Sequence, residues 1–158
     1  WITCVNGGGG ALWVGLIHLD NAKNLNFHGD CCHGIRNSSG YCSNFCRNLF
    51  EVTVHGLNKS NETKQQSNMP SQKNTSVLFQ HTGEHQDSQN PMCFNFDNWP
   101  GSVNISIDVY DDNTTRPMID SFFIHFNNSS PSLFYTNWTL LGKREHDPSK
   151  INILLRYH

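Results

Sequence analysis

The chain reads as an all-β protein, an antiparallel eight-stranded β-sandwich with disulfides, on three observations. Apolar residues recur at every second position in short segments, and no segment sustains a helical period. The connecting stretches are rich in Asn, Gly, Pro and Ser. Six cysteines and nine Asn-x-Ser/Thr triplets fit such a fold outside the cell.

Residues 1–10 end in four consecutive glycines, whose conformational freedom predicts a flexible N-terminal arm, and the sandwich is expected over residues 11–158. The first strand is placed at residues 12–19. In the second, Phe50, Val52 and Val54 alternate with Glu51, Thr53 and His55, the pattern of a strand buried on one face. Residues 58–75 form the longest polar run, with three glycosylation triplets and Met69-Pro70, and read as a mobile glycosylated loop before a third strand at residues 76–80. A fourth strand is expected at residues 92–96. Trp99-Pro100-Gly101 then gives a rigid entry: proline fixes φ, glycine permits the turn, and the indole is positioned to cap the core. In the fifth strand Val103, Ile105, Ile107 and Val109 point one way, and Asn104, Ser106 and Asp108 the other. After a polar break at residues 111–117, further strands are placed at residues 121–126, 138–141 and 151–157.

The triplets lie at Asn37, Asn58, Asn61, Asn74, Asn104, Asn113, Asn127, Asn128 and Asn137. Chance would supply about three, so most read as glycan acceptors on solvent-facing positions in the secretory pathway. Adjacent Asn127 and Asn128 are too close for both to be occupied, and Asn137 lies beside Trp138, whose indole is needed for packing. Only 15% of residues are charged and the formal net charge is −2, so no basic field points to nucleic acid. No stretch of some twenty apolar residues spans a bilayer, and the opening residues lack the charged and apolar regions of a signal peptide. The expectation is a mature ectodomain, with leader and anchor elsewhere.

Cys31 and Cys32 with Cys42 and Cys46 superficially offer zinc ligands beside His28 and His33. Vicinal cysteines suit one tetrahedral ion poorly, and an oxidising compartment favours disulfides. Cys31 and Cys32 then take Cys42 and Cys46 in an order the sequence leaves open, with Cys4 and Cys93 left for each other. Asp108, Asp111 and Asp112 gather at a strand-to-loop boundary, where calcium would need further oxygens from a loop such as that of Asp20 or Asp30. Nine histidines are scattered, with no G-x-S-x-G or H-E-x-x-H, so no catalytic site is expected.

Taken in order, several motifs resemble the N-terminal domain of Notch ligands of the Delta and Serrate/Jagged type. They are Gly10-Ala11-Leu12-Trp13-Val14-Gly15-Leu16, with Asn21 in the next loop, Gly29-Asp30-Cys31-Cys32-His33-Gly34, and Cys42-x-x-x-Cys46-Arg47 leading into Leu49-Phe50-Glu51-Val52. The most specific piece runs from Asn90-Pro91 through Phe94-Asn95-Phe96 to Trp99-Pro100-Gly101-Ser102, followed by Val109-Tyr110-Asp111, Trp138-Thr139-Leu140 and the closing strand to Tyr157. Thr53 stands where the family usually carries a cysteine, and Cys4 and Cys93 are additional.

The resemblance implies a C2-like sandwich, without chemistry of its own, in the ectodomain of a single-pass cell-membrane protein. It implies binding to the EGF-like repeats of a Notch receptor together with a following DSL module. It also implies contact with phospholipid headgroups aided by calcium, with Asp111 matching the acidic position most directly and Asp112 less so. No receptor-binding residue is assigned, and a monomer is expected. The competing reading is a secreted sandwich glycoprotein that binds glycan or another protein.

Overall fold

The computed structural model describes residues 9–56, 64–69 and 90–158. Eight strands follow one another: β1 (Ala11–Asp20), β2 (Asn48–Gly56), β3 (Lys64–Met69), β4 (Met92–Asn95), β5 (Ser102–Asp111), β6 (Met118–Asn127), β7 (Thr136–Leu141) and β8 (Lys150–Tyr157). They form two four-stranded antiparallel sheets, β4-β1-β8-β7 and β3-β2-β5-β6.

Strict alternation builds the core. In register Val52↔Ile107 and Ile107↔Phe122, three strands put their apolar side chains on one face of the second sheet. All three residues are fully buried. The first sheet answers with Leu12, Val14, Leu16, Phe94, Ile151, Ile153 and Leu155, and the two faces merge into one cluster. Trp99 closes the end where β5 begins: its indole stacks on Tyr157 at 4.0 Å, meets Phe96 edge-on at 5.1 Å, and donates to the Asn128 carbonyl at 2.7 Å. The polar end of the ring thus finds a partner while its body fills the core mouth. Gly101 takes φ +84°, which a side chain would strain.

Two features depart from the alternation pattern. The third strand lies at Lys64–Met69, inside the polar run expected to be a loop. It pairs with β2 from Phe50↔Met69 to His55↔Lys64, so main-chain bonds along a sheet edge, which need no apolar period, select it. The rest of the loop expected at residues 58–75 and the strand expected at residues 76–80 fall outside the described residues. β1 carries an irregularity between Leu16 and His18. There the Asn90 side-chain amide mimics a strand, accepting from Leu16 N and donating to Leu16 O, both at 3.0 Å.

Truncating Ile107 to alanine is expected to cost about 2–5 kcal/mol, because the residue sits between two close-packed sheets that relax only partly. Ser106→Ala, one position away on the outer face, should stay within about 0.5 kcal/mol. Chemical denaturation of the two variants checks both values.

Candidate functional site

One end of the sandwich gathers residues 21–47, 112–117 and 142–149, since β1, β5 and β7 finish there and β2, β6 and β8 begin there. Two disulfides, Cys31–Cys42 and Cys32–Cys46, staple the longest of these loops. The four cysteines are therefore sulfur–sulfur partners and present no thiolates to a zinc ion. Cys93 is also disulfide-bonded. Its expected partner, Cys4, lies outside the described residues. Cys46 is fully buried in the core cluster, so one staple anchors the loop to the sandwich while the other shapes its tip.

A buried polar network joins the loops from beneath. Asp120, fully buried at the start of β6, accepts from Ser121 N at 2.8 Å and Arg144 N at 2.9 Å through Oδ1. Its Oδ2 accepts from Ser149 N at 2.9 Å and Ser149 Oγ at 2.6 Å. Every lone pair facing the loop is used, which is what a buried carboxylate requires. Arg144 turns back from the same loop into the stapled one. It donates through Nη1 to the Leu25 carbonyl at 2.9 Å, through Nη2 to Asn21 Oδ1 at 3.2 Å, and through Nε to the carbonyls of His146 and Asp147. Burial lowers the Arg144 pKa, and the nearby Asp120 and Asp147 charges partly offset that. Asn21 passes the link on, donating to the Leu25 carbonyl at 2.9 Å and towards Cys46 Sγ at 3.6 Å. At the surface Lys23 and Asp147 pair at 3.0 Å, and that hydrogen bond, then the lysine charge, holds the Asp147 carboxyl below its usual range.

Asp111 is a second hub. It is fully buried, its Oδ1 accepts from Arg47 N at 2.8 Å, and its Oδ2 accepts from Asn113 Nδ2 at 3.1 Å. His33 Nε2 lies 2.7 Å from Oδ2, at ion-pair distance but without hydrogen-bond direction. Asp112 is exposed beside it, and its N–H donates to the Arg47 carbonyl at 2.7 Å. These two carboxylates, expected as calcium ligands, do not fit the ion in this arrangement: the Asp111 oxygens already serve the protein, and Asp112 alone offers too few. Among the described residues no group of three or more His, Cys, Asp or Glu is placed to hold a metal. Asp108 lies apart on the outer sheet face, accepting from Ser121 Oγ at 2.5 Å.

The tip of the stapled loop presents what the sequence reading passed over. Ile35, Tyr41 and Phe45 are 79%, 45% and 55% exposed, unusual values for large apolar side chains in a loop held by two disulfides. The signal was available as apolar residues within a cysteine-rich polar stretch, but only the loop geometry shows that they face outward. The structure places the Asn37 triplet on the same loop and Asn104 on the outer face of β5, where Asn104 Oδ1 meets His125 Nδ1 at 2.8 Å. Asn113 turns its side chain inward to Asp111, while Asn127, Asn128 and Asn137 lie around the opposite end and the β7 edge. Asn58, Asn61 and Asn74 are outside the described residues.

A family model for the N terminus of Notch ligand, C2-like domain, matches residues 9–135. A solved structure of Drosophila C2-DSL-EGF1 is similar at 18% sequence identity with a TM-score of 0.67, covering 94% of this chain and 67% of that one. No curated protein matches.

Asp120→Ala is expected to destabilise the domain by about 2–4 kcal/mol, since it leaves three buried N–H groups and a hydroxyl without their acceptor. Protection of the Arg144 and Ser149 amides from hydrogen exchange should fall with it. Separately, Lys23→Ala should return the Asp147 carboxyl towards its ordinary range. The pair stabilises at neutral pH and is lost as pH falls through the lowered Asp147 value, an effect that salt screens at this exposed position. A carboxyl NMR titration with and without the lysine reads it.

Proposed function

Since the chain belongs to the family of Notch ligand N-terminal C2-like domains, we propose that it acts outside the cell as a binding module for the EGF-like repeats of a Notch receptor. It does so as one part of a larger ectodomain. The observation that carries this reading is the match of the family model over residues 9–135, most of the described sandwich. The likeness to Drosophila C2-DSL-EGF1 supports the fold and the arrangement in which a second module follows.

The stapled apex serves a second contact, with phospholipid headgroups. Ile35, Tyr41 and Phe45 project from a loop that the disulfides and Arg144 hold in shape, so inserting their side chains at a membrane surface requires little further ordering of the chain. Arg36, exposed on the same loop, adds a cation for an anionic surface. Because Asp111 is fully buried and each of its oxygens already accepts from a protein donor, the contact rests on these side chains rather than on an ion held by Asp111 and Asp112.

Two measurements test the proposal. Immobilised EGF-like repeats of a Notch receptor should bind the secreted ectodomain saturably, and deleting residues 11–158 should abolish or strongly weaken that binding. In a flotation assay with phosphatidylserine-containing vesicles, Ile35→Ser combined with Phe45→Ser should reduce association by about ten-fold or more, given roughly 1.5–3 kcal/mol for each large apolar side chain buried. Chelating calcium should change little. A chelator-sensitive association that survives the double substitution would restore an acidic calcium site as the lipid contact.

A further inference from the structure

The outer face of the first sheet carries a row of aromatic and cationic side chains that the proposed function does not use. β1 and β8 pair Trp13 with Arg156, and β8 and β7 pair Leu155 with Thr136, which brings Tyr135 alongside Arg156. The Arg156 guanidinium lies 5.2 Å from the Trp13 ring centre and 4.8 Å from that of Tyr135, so it is sandwiched between two π faces. Among the described residues its Nη1 reaches only the Leu133 carbonyl, at a long 3.5 Å and in an exposed position, while Nε is buried without a hydrogen-bond partner.

The next row along the strands is Gly15, Leu154 and Asn137. Strand alternation puts Asn137 and Thr139 on one side of β7, Thr139 Oγ1 marking it by its contact with Asn152 Oδ1 at 2.8 Å, and Tyr135, just before the strand, is set on the same side by its contact with Arg156. Trp138 faces the other way, its indole N–H donating to Thr136 Oγ1 at 2.7 Å. The indole therefore does not compete with a group attached to Asn137. Asn137 is exposed, and no hydrogen bond among the described residues engages its side chain, unlike Asn37, Asn104, Asn113 and Asn128. Beside it Gly15 adds no side chain. A methyl there would meet only ordinary contacts, the nearest being Leu154 Cβ at 3.5 Å, so packing does not require glycine and the surface stays low.

We propose that Asn137 carries an N-linked glycan whose first N-acetylglucosamine lies flat against the Tyr135 ring, with the chain running over Leu154 and Gly15 towards the Arg156–Trp13 stack. A pyranose presents a face of C–H groups that an aromatic ring two residues earlier on the same side of the sheet is placed to cover. Its hydroxyl and N-acetyl oxygens are acceptors for the exposed Arg156 Nη1. The glycan is then part of the folded structure rather than a freely solvated branch, and it closes this sheet face to protein partners.

Glycopeptide mass spectrometry of the glycoprotein secreted from a eukaryotic host should find Asn137 occupied. Asn137→Gln should lower the thermal midpoint by roughly 2–4 °C, whereas trimming the N-glycans to a single N-acetylglucosamine should keep most of that stabilisation, because the first sugar makes the Tyr135 contact. Tyr135→Ala should lower the midpoint of the parent by at least twice as much as it lowers that of the Asn137→Gln protein. An unoccupied Asn137, or an equal cost of Tyr135→Ala in both backgrounds, would overturn the proposal. If either variant fails to be secreted, NMR of the trimmed parent decides. Upfield ring-current shifts of the Asn137-linked sugar protons are expected, and solution-like shifts would overturn the proposal.

Discussion

A one-residue slip in the pairing of β5 would carry Asn104, Ser106 and Asp108 into the interior and expel Val103, Ile105, Ile107 and Val109. The domain depends on that slip being forbidden. β5 is a central strand, paired with β2 along nine positions and with β6 along nine, so its register is imposed from both sides. The first sheet supplies the complementary apolar face, and the cost of burying polar groups locks both sheets into one arrangement. The loops inherit their positions from this constraint. Asp111 ends up buried because it is the next inward position after Val109, and it then needs Arg47, Asn113 and His33 around it.

The two ends of the sandwich solve the same problem differently. At the Trp99 end an aromatic plug suffices, because the loops are short and the ring stacks on Tyr157 from the last strand. At the stapled end residues 21–47 are too long and too polar to cover the core by apolar packing. Asp120 and Arg144 take over: one gathers loop amides with a carboxylate, the other spreads a guanidinium over carbonyls of two loops. Such a network is stable only when nearly every member is satisfied, and it leaves the tip of the loop independent of the core. That independence lets Ile35, Tyr41 and Phe45 stay outside.

The surfaces follow from the same architecture. The outer face of β5 is polar and holds Asn104, the outer face of β1 and β8 is aromatic and cationic with Asn137 at its margin, and the stapled apex exposes Ile35, Tyr41 and Phe45 beside Asn37, whose side-chain oxygen accepts from Ser39 N and Tyr41 N. A glycan on any of these triplets would close its surroundings to a partner. The distribution of triplets over strands and loops is therefore a constraint on where partners approach, set by strand alternation as firmly as the core is.

Much of this was legible in the chain. Alternation marked β2, β4, β5 and β8 because each buries one face, apolar residues between turn-rich stretches marked β1, β6 and β7, and the Trp99-Pro100-Gly101 cap was readable because each residue type has one strong local consequence. β3 was not legible, since a polar edge strand is selected by its neighbour's main chain and leaves no period in its own residues. The cysteine count implied disulfides, but their pairing as Cys31–Cys42 and Cys32–Cys46 is a matter of which sulfurs the fold brings together. Asp111 looked like a ligand because a carboxylate at a loop boundary is ambiguous until its neighbours are known. Asp120 and Arg144 gave no signal, because the partners that tie the loops together lie more than twenty residues away and several of them are backbone groups of no particular residue type. The sequence by itself determined the class of fold and the family, through local periodicity and ordered motifs. Only the tertiary structure decided which polar side chains are buried hubs and which apolar ones face outward, because both depend on contacts between distant loops.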